Sequence, residues 1–202
     1  MRDLGFETTI FIEKGSVVYN VSGVYLATKR IFDIIGALFL SLFLLPLFAI
    51  ICLYIRLIYG KPVLIGEERR GYRGNVFRML RFRPLSKNGK SLIKDGLDIL
   101  PALINVIKGD LSLVGPWPPT IIETLNYKPR HILRFSAKPG ITGLWRIYRT
   151  DRGNLDEMTR VDLKYIRERN LRFDLYIFLK TISMLIRSQK KLKDENLRLY
   201  VP

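Results

Sequence analysis

From Ile34 to Ile55 the chain runs for 22 residues without a charged side chain, and Pro46 stands near the middle of the run. At ~1.5 Å rise per residue such a helix measures about 33 Å, enough to cross the hydrocarbon core of a bilayer. Pro46 removes a backbone hydrogen bond and clashes with the preceding turn, so the pattern predicts a bend there. Lys29 and Arg30 precede the run, and Arg56 and Lys61 follow it. Basic flanks hold both ends on the cytosolic side. This favours a re-entrant, broken helix, with a single kinked crossing as the alternative.

The remaining pattern is shorter-ranged. Residues 1–28 alternate apolar and polar positions in places (Thr9-Ile10-Phe11-Ile12, Val17-Val18-Tyr19), as a short hairpin or a surface-lying segment would. Gly60-Lys61-Pro62 stops the apolar helix. Val63-Leu64-Ile65 and Val76 to Phe82 read as strands joined by a basic turn from Arg69 to Gly74, a β-hairpin. Leu97, Leu100, Leu103, Ile104 and Ile107 recur at helical spacing within 92–107, with Gly109 as the stop. Gly115 to Pro119 holds three prolines and excludes regular structure, and Pro139-Gly140 with Gly143 marks another turn. Asn154 and Glu157 have capping-box spacing ahead of a helix through Arg169. Leu171 to Arg187 is rich in large apolar residues. It reads either as an amphipathic helix lying in the membrane interface or as a core helix. The tail from Lys190 is charged and solvated.

Charge changes the picture. The 202 residues carry 34 Lys/Arg against 18 Asp/Glu, a net charge of +16. Residues 1–33 hold four of each sign, so the whole excess follows the apolar run. Such a domain suits an anionic bilayer surface, at about 1 kcal/mol per well-placed Lys or Arg. The same field draws phosphate-bearing substrates. Nucleic acid is the competing partner for so basic a chain. The membrane segment argues against it, and neither zinc-finger spacing nor an RNP-like aromatic motif is present. Cys52 is the only cysteine, so no intrachain disulfide forms and nothing points to an oxidising compartment. The apolar run also starts too far in, and is too long, for a cleaved signal core.

The candidate chemistry gathers around Leu97-Asp98-Ile99-Leu100-Pro101. A carboxylate at an apolar helix start is costly to bury unless it is paired or holds a metal. Asp98, with Asp110 downstream and basic segments on both sides, suits Mg²⁺, which takes one or two carboxylates together with substrate phosphates. The plainer reading is a helix-start charge favoured by the macrodipole. Arg69, Arg70, Arg73, Arg81 and Arg83 form a cationic cluster for nucleotide or lipid phosphate, or else a solvated, headgroup-facing surface. His131 stands alone and Ser112 lacks a paired base, so both read as structural. Trp117, between prolines, packs or sits at the interface.

Lys29-Arg30-Ile31-Phe32-Asp33 leads into the apolar segment, and Gly60-Lys61-Pro62-Val63, Arg70-Gly71 and Phe77-Arg78-Met79-Leu80-Arg81-Phe82-Arg83 follow. Then come the Asp98 stretch, Arg130-His131, Lys138-Pro139-Gly140-Ile141-Thr142-Gly143, Asp162-Leu163-Lys164-Tyr165-Ile166 and Asp174 to Thr181. In this order, over residues 29–187, the chain resembles the bacterial sugar transferases, the monotopic phosphoglycosyl transferases. The resemblance implies an enzyme seated on one leaflet through a re-entrant helix. It would move a sugar-1-phosphate from a nucleotide diphosphate sugar to a polyprenyl phosphate with Mg²⁺. An Asp would attack phosphorus and form a phosphosugar-enzyme intermediate, and Asp98 falls at that position. The chain also departs from the family. The Glu that follows the nucleophile is Ile99, the Arg of Gly-Pro-Arg-Pro is Trp117, and a Gln after the Pro-Gly-Ile-Thr-Gly turn is Arg146. Phe82-Arg83-Pro84-Leu85 replaces Phe-Arg-Ser/Thr-Met, and only 13 residues separate Arg83 from Leu97. Losing an acid/base typically costs ~10²–10⁴ in rate. Restoring it with Ile99→Glu would raise turnover if the base alone were missing, and Arg146 is a candidate stand-in for the lost arginine.

These readings predict a mostly helical α/β fold: a re-entrant membrane helix, then a small cytosolic domain with a β-hairpin and interfacial amphipathic helices. The divisions are an N-terminal extension (1–28), the membrane helix (29–59), the sugar-transferase-like domain (60–189) and a charged tail (190–202). The expected site is Asp98 as nucleophile and Mg²⁺ ligand, with Arg70, Arg81, Arg83, Arg130 and Arg146 toward phosphate. The expected partners are one leaflet of a bacterial inner membrane at its cytosolic face, a polyprenyl phosphate, a UDP-sugar and a homo- or hetero-oligomer, but no nucleic acid. The alternative is a catalytically impaired relative that binds lipid or nucleotide sugar, or partners an active transferase.

Overall fold

The computed structural model describes residues 10–13, 16–19, 22–84, 86–87, 90–91, 97–151 and 153–198, with side chains over 22–84, 97–151 and 153–185. The described residues are mostly helical, with four two-stranded sheets among them. β1 (Ile10–Glu13) and β2 (Ser16–Tyr19) pair antiparallel, the hairpin expected in the N-terminal extension. The apolar run forms α1 (Gly23–Phe43) and α2 (Leu45–Tyr59), bent by 60° at Leu44. Pro46 lies in the first turn of α2, where its missing N–H breaks no helical bond. Inside one continuous helix it would remove a bond and clash. No single helix among the described residues is long and apolar enough to cross a membrane, but the bent pair together is, by length and composition. Ile35, Leu38, Phe39, Leu42, Leu53 and Leu57 stand exposed along it.

β3 (Leu64–Arg70) and β4 (Val76–Phe82) form the expected hairpin, in register from Leu64↔Phe82 to Arg70↔Val76. β3 is longer than the apolar pattern predicts, because its ladder extends through Glu67, Glu68 and Arg69. The turn places Arg73 and Gly74 at φ 57° and 79°. β5 (Ser86–Lys87) and β6 (Lys90–Ser91) make a third, minimal hairpin. The helix expected over 92–107 is shorter than its spacing suggests. Residues 92–96 lie outside the described residues, Leu100–Ala102 is a 3₁₀ turn, and α3 spans only Leu103–Lys108. Pro101 starts a helix readily but cannot sit inside one. Gly109 stops α3 at φ 100°, as expected.

The two glycine-proline turns hold a pairing the pattern did not suggest: β7 (Ser112–Val114) runs parallel to β8 (Gly140–Thr142). A Cβ on Gly115 would lie 2.3 Å from the Lys138 carbonyl oxygen, and one on Gly140 would lie 2.1 Å from Gly115 N. Only glycine lets the two backbones cross this closely. Short helices α4 (Ile121–Thr124), α5 (Pro129–Ile132) and α6 (Leu144–Ile147) lead to α7 (Leu155–Glu168) and α8 (Leu171–Arg198). Asn154 caps α7 by accepting from Glu157 N (3.1 Å). α8 buries Asp174, Ile177 and Thr181 and leaves Leu175, Tyr176 and Leu179 exposed. The core-helix reading therefore describes one of its faces.

The main core joins Ala37, Met79, Ile99, Val106, Leu113 and Tyr165. Ile55 and Phe82, with Phe48 and Ile51, fasten α2 to the hairpin. A polar seam fastens α1. Lys29 Nζ lies 3.0 Å from Asp174 Oδ2, and Tyr25 and Tyr165 donate to the two oxygens of Asp174 at 2.8 and 2.7 Å. Asp33 accepts from Ser112 Oγ and Leu113 N at 3.0 Å each. Arg30 bonds the carbonyls of Val106 and Ile107 at the end of α3. Arg134 and Asp162 form a buried pair that ties α7 to the segment after α5.

Candidate active site

Asp98 occupies the turn between the hairpin and α3, and its carbonyl accepts from Phe82 N (2.9 Å) at the end of β4. Side chains alternate along a strand, so the register places Glu67, Arg69, Met79 and Arg81 on one face of the hairpin. Met79 enters the core, Arg81 meets Asp98, and Glu67 links Arg81 to Arg69. Arg81 donates through Nη2 to Asp98 Oδ2 and through Nη1 to Glu67 Oε2 (3.1 Å). Arg69 Nη2 donates to the same glutamate oxygen (2.8 Å). Its Nη1 donates to the Pro118 carbonyl (2.6 Å), and its guanidinium lies 5.1 Å from the centre of the Trp117 ring. Trp117 meets Trp145 edge-on at 4.7 Å, and Arg146 lies over Trp145 at 5.0 Å.

The cluster is partly open to water, with the side chains of Asp98, Arg81 and Glu67 19%, 24% and 32% exposed. Burial raises the Glu67 carboxyl, but the hydrogen bonds and charges of Arg69 and Arg81 outweigh it and hold the group below the usual carboxylate range. Glu67 is therefore ionised at neutral pH. Among the described residues the Nε atoms of Arg69 and Arg81 are buried without a hydrogen-bond partner, as are those of Arg134 and Arg169 outside the cluster.

The other arginines of the expected site lie elsewhere. Arg70 points to the opposite face of β3, where it donates to Thr124 Oγ1 (3.1 Å) and the Gly74 carbonyl (3.1 Å). Arg83 donates to the Tyr59 carbonyl (3.2 Å) and so caps α2. Arg130 pairs with Asp156 (2.7 Å). Arg146 lies over Trp145, which meets Trp117 at the edge of the cluster. His131 is buried, with Nδ1 accepting from Lys128 N (3.2 Å) and Nε2 2.7 Å from Asp156, a structural arrangement as expected. Ile99 packs into the main core at 8% exposure, and Trp117 is buried against Trp145 and Met158.

Glu67 is the participant the linear reading missed. Its signal was the hairpin register: Glu67 pairs with Met79 and therefore lies diagonal to Arg81. Among the described residues no three or more His, Cys, Asp or Glu side chains come together. A single carboxylate beside a substrate diphosphate still fits the usual Mg²⁺ arrangement. Two surface grooves, between α5 and the start of α7 and beside α3, are not lined by Asp98. The chemistry, rather than concavity, marks the site.

Residues 24–188 match the family described as Bacterial sugar transferase. The chain belongs to that family. It is 32% identical over 193 residues to the galactosyl transferase CpsE of Streptococcus agalactiae, an alignment covering 80% of this chain and 43% of that protein. It is 31% identical over 190 residues to the UDP-glucose:undecaprenyl-phosphate glucose-1-phosphate transferase of Escherichia coli, covering 80% and 41%. Against the exopolysaccharide production protein ExoY of Rhizobium meliloti it is 30% identical over 190 residues, covering 76% and 83%. The chain thus spans less than half the length of the first two of these relatives and most of the third.

Proposed function

We propose that the chain transfers a sugar-1-phosphate from a UDP-sugar to a polyprenyl phosphate, starting a polysaccharide or glycoconjugate. The observation that carries this reading is Asp98, a partly exposed carboxylate on a turn anchored to the hairpin and paired with Arg81, which Glu67 links to Arg69. It stands at the position the family resemblance gives to the nucleophile. In the first step an Asp98 oxygen bonds to the sugar-bearing phosphorus. The bond from that phosphorus to the bridging oxygen breaks, and UMP leaves with the electron pair. In the second, an oxygen of the polyprenyl phosphate bonds to the same phosphorus and the bond to Asp98 breaks, restoring the carboxylate. A carboxylate nucleophile divides one difficult transfer into two. Arg69 and Arg81 oppose the diphosphate charge that would repel it. Mg²⁺, held by Asp98 and the diphosphate, would add charge neutralisation. The name of the E. coli relative describes this class of transfer.

The membrane reading is a re-entrant α1–α2 pair in one leaflet, on the cytosolic face of a bacterial inner membrane, with residues 60–189 carrying the chemistry. Its support is that both ends of the bent pair are fastened to the same body: the start of α1 by the Lys29–Asp174 seam, the end of α2 by Phe82 and Arg83. The exposed apolar side chains of the pair suit lipid.

A catalytically silent relative is the second reading. Ile99 and Trp117, where the resemblance expects a glutamate and a phosphate-binding arginine, favour it. Release of UMP from UDP-glucose and UDP-galactose, with polyprenyl phosphate and Mg²⁺, separates the two. Turnover that vanishes in Asp98→Asn establishes the transferase. No turnover beside an active family member establishes the silent reading.

A further inference from the structure

Glu67 presents one carboxylate oxygen to two guanidiniums, and this arrangement has a consequence for substrate entry. Arg69 is the fixed arm. It is 5% exposed and held by Glu67, the Pro118 carbonyl and the Trp117 ring. Arg81 is the more open arm, with one terminal nitrogen on Glu67 and the other on Asp98. While Arg81 holds Asp98, the carboxylate is engaged in an ion pair and is a poor nucleophile.

We propose that Glu67 is a positioning residue: it keeps Arg81 beside Arg69 as a two-armed receptor for the diphosphate of a nucleotide sugar, and it is the pivot on which Arg81 leaves Asp98. The inference rests on the transferase reading above. An incoming diphosphate competes with Asp98 for Arg81 Nη2. Because Nη1 stays on Glu67, the guanidinium turns instead of swinging away, and one motion both binds the phosphate and frees the nucleophile. Without Glu67, both Arg81 nitrogens are available to Asp98, and the nucleophile is held more tightly. The second carboxylate of the site thus comes from the hairpin, while position 99 serves the core.

The test depends on a sign. Removing a negative charge from an anion site by simple electrostatics should tighten nucleotide binding. Removing a pivot should weaken it. Binding of UDP to the full chain in lipid nanodiscs, measured by calorimetry for wild type, Glu67→Gln and Glu67→Asp, reads this without any turnover. The expected result is a Kd for UDP raised on the order of tenfold in Glu67→Gln, the scale on which a lost orienting contact acts, with partial recovery in Glu67→Asp. Where the wild type turns over, kcat should also fall in Glu67→Gln. Unchanged or tighter UDP binding in a folded Glu67→Gln overturns the proposal and leaves the transferase reading to the separate Asp98→Asn comparison. A wild type that binds no UDP overturns both.

Discussion

The seam that fastens α1 and the cluster around Asp98 are built from the same parts: carboxylates, a lysine or arginines, and one side chain shared between two partners. In the seam, Asp174 is fully buried and Lys29 nearly so, and the two tyrosines fill the acceptor sites that the lysine leaves. Around Asp98 a fifth to a third of the Asp98, Arg81 and Glu67 side chains still meets water. A network sealed from water holds elements together. An open network can exchange a partner for a ligand. Access to water, more than the kinds of charge present, separates scaffold from site.

The seam should yield the largest effect. Asp174→Ala leaves Lys29 buried without its closest carboxylate, so folding stability should drop by about 3–5 kcal/mol. Thermal unfolding in detergent reads this, and a melting temperature near wild type would show that the seam does not fasten α1. Ile99→Glu comes next, because position 99 belongs to the core and not to the open cluster. A carboxyl forced there should cost roughly 3 kcal/mol or more without raising UMP release. A gain in turnover would show that side chain 99 reaches the site after all. Asp98→Asn should alter stability by about 1 kcal/mol or less, as for other partly exposed pairs, while abolishing UMP release. A large loss of stability would place Asp98 with the seam.

The smallest effect is in pH. Glu67 is held below its unfolded value, so its contribution to stability is present above an unfolded pKa of ~4.3 and is lost as the pH falls through its lower folded value. Glu67→Gln should flatten that part of the acid-unfolding curve. A curve that does not change would mean that the arginines contribute no net stabilisation through Glu67.

Much of the architecture was legible because its causes are local. Pro46 broke the apolar helix, Gly109 stopped α3 and Asn154 capped α7, each through the geometry of one residue. The family was legible from motifs in order. Arg70, Arg83 and Arg130, expected toward phosphate, have their side chains on Thr124, the Tyr59 carbonyl and Asp156 in the fold.

The sequence by itself determined the bend in the apolar run, the hairpin, the helix ends and the family, since these depend on backbone restrictions and short-range spacing. Tertiary structure alone decided that Asp33 meets Ser112 and Leu113, that Lys29 meets Asp174, and that two three-residue segments pair in parallel across glycines. It also decided that Glu67 lies beside Arg81 while Ile99 turns inward. Those outcomes depend on which long-range contacts bury charge with its partner and exclude water, and no local pattern carries that information.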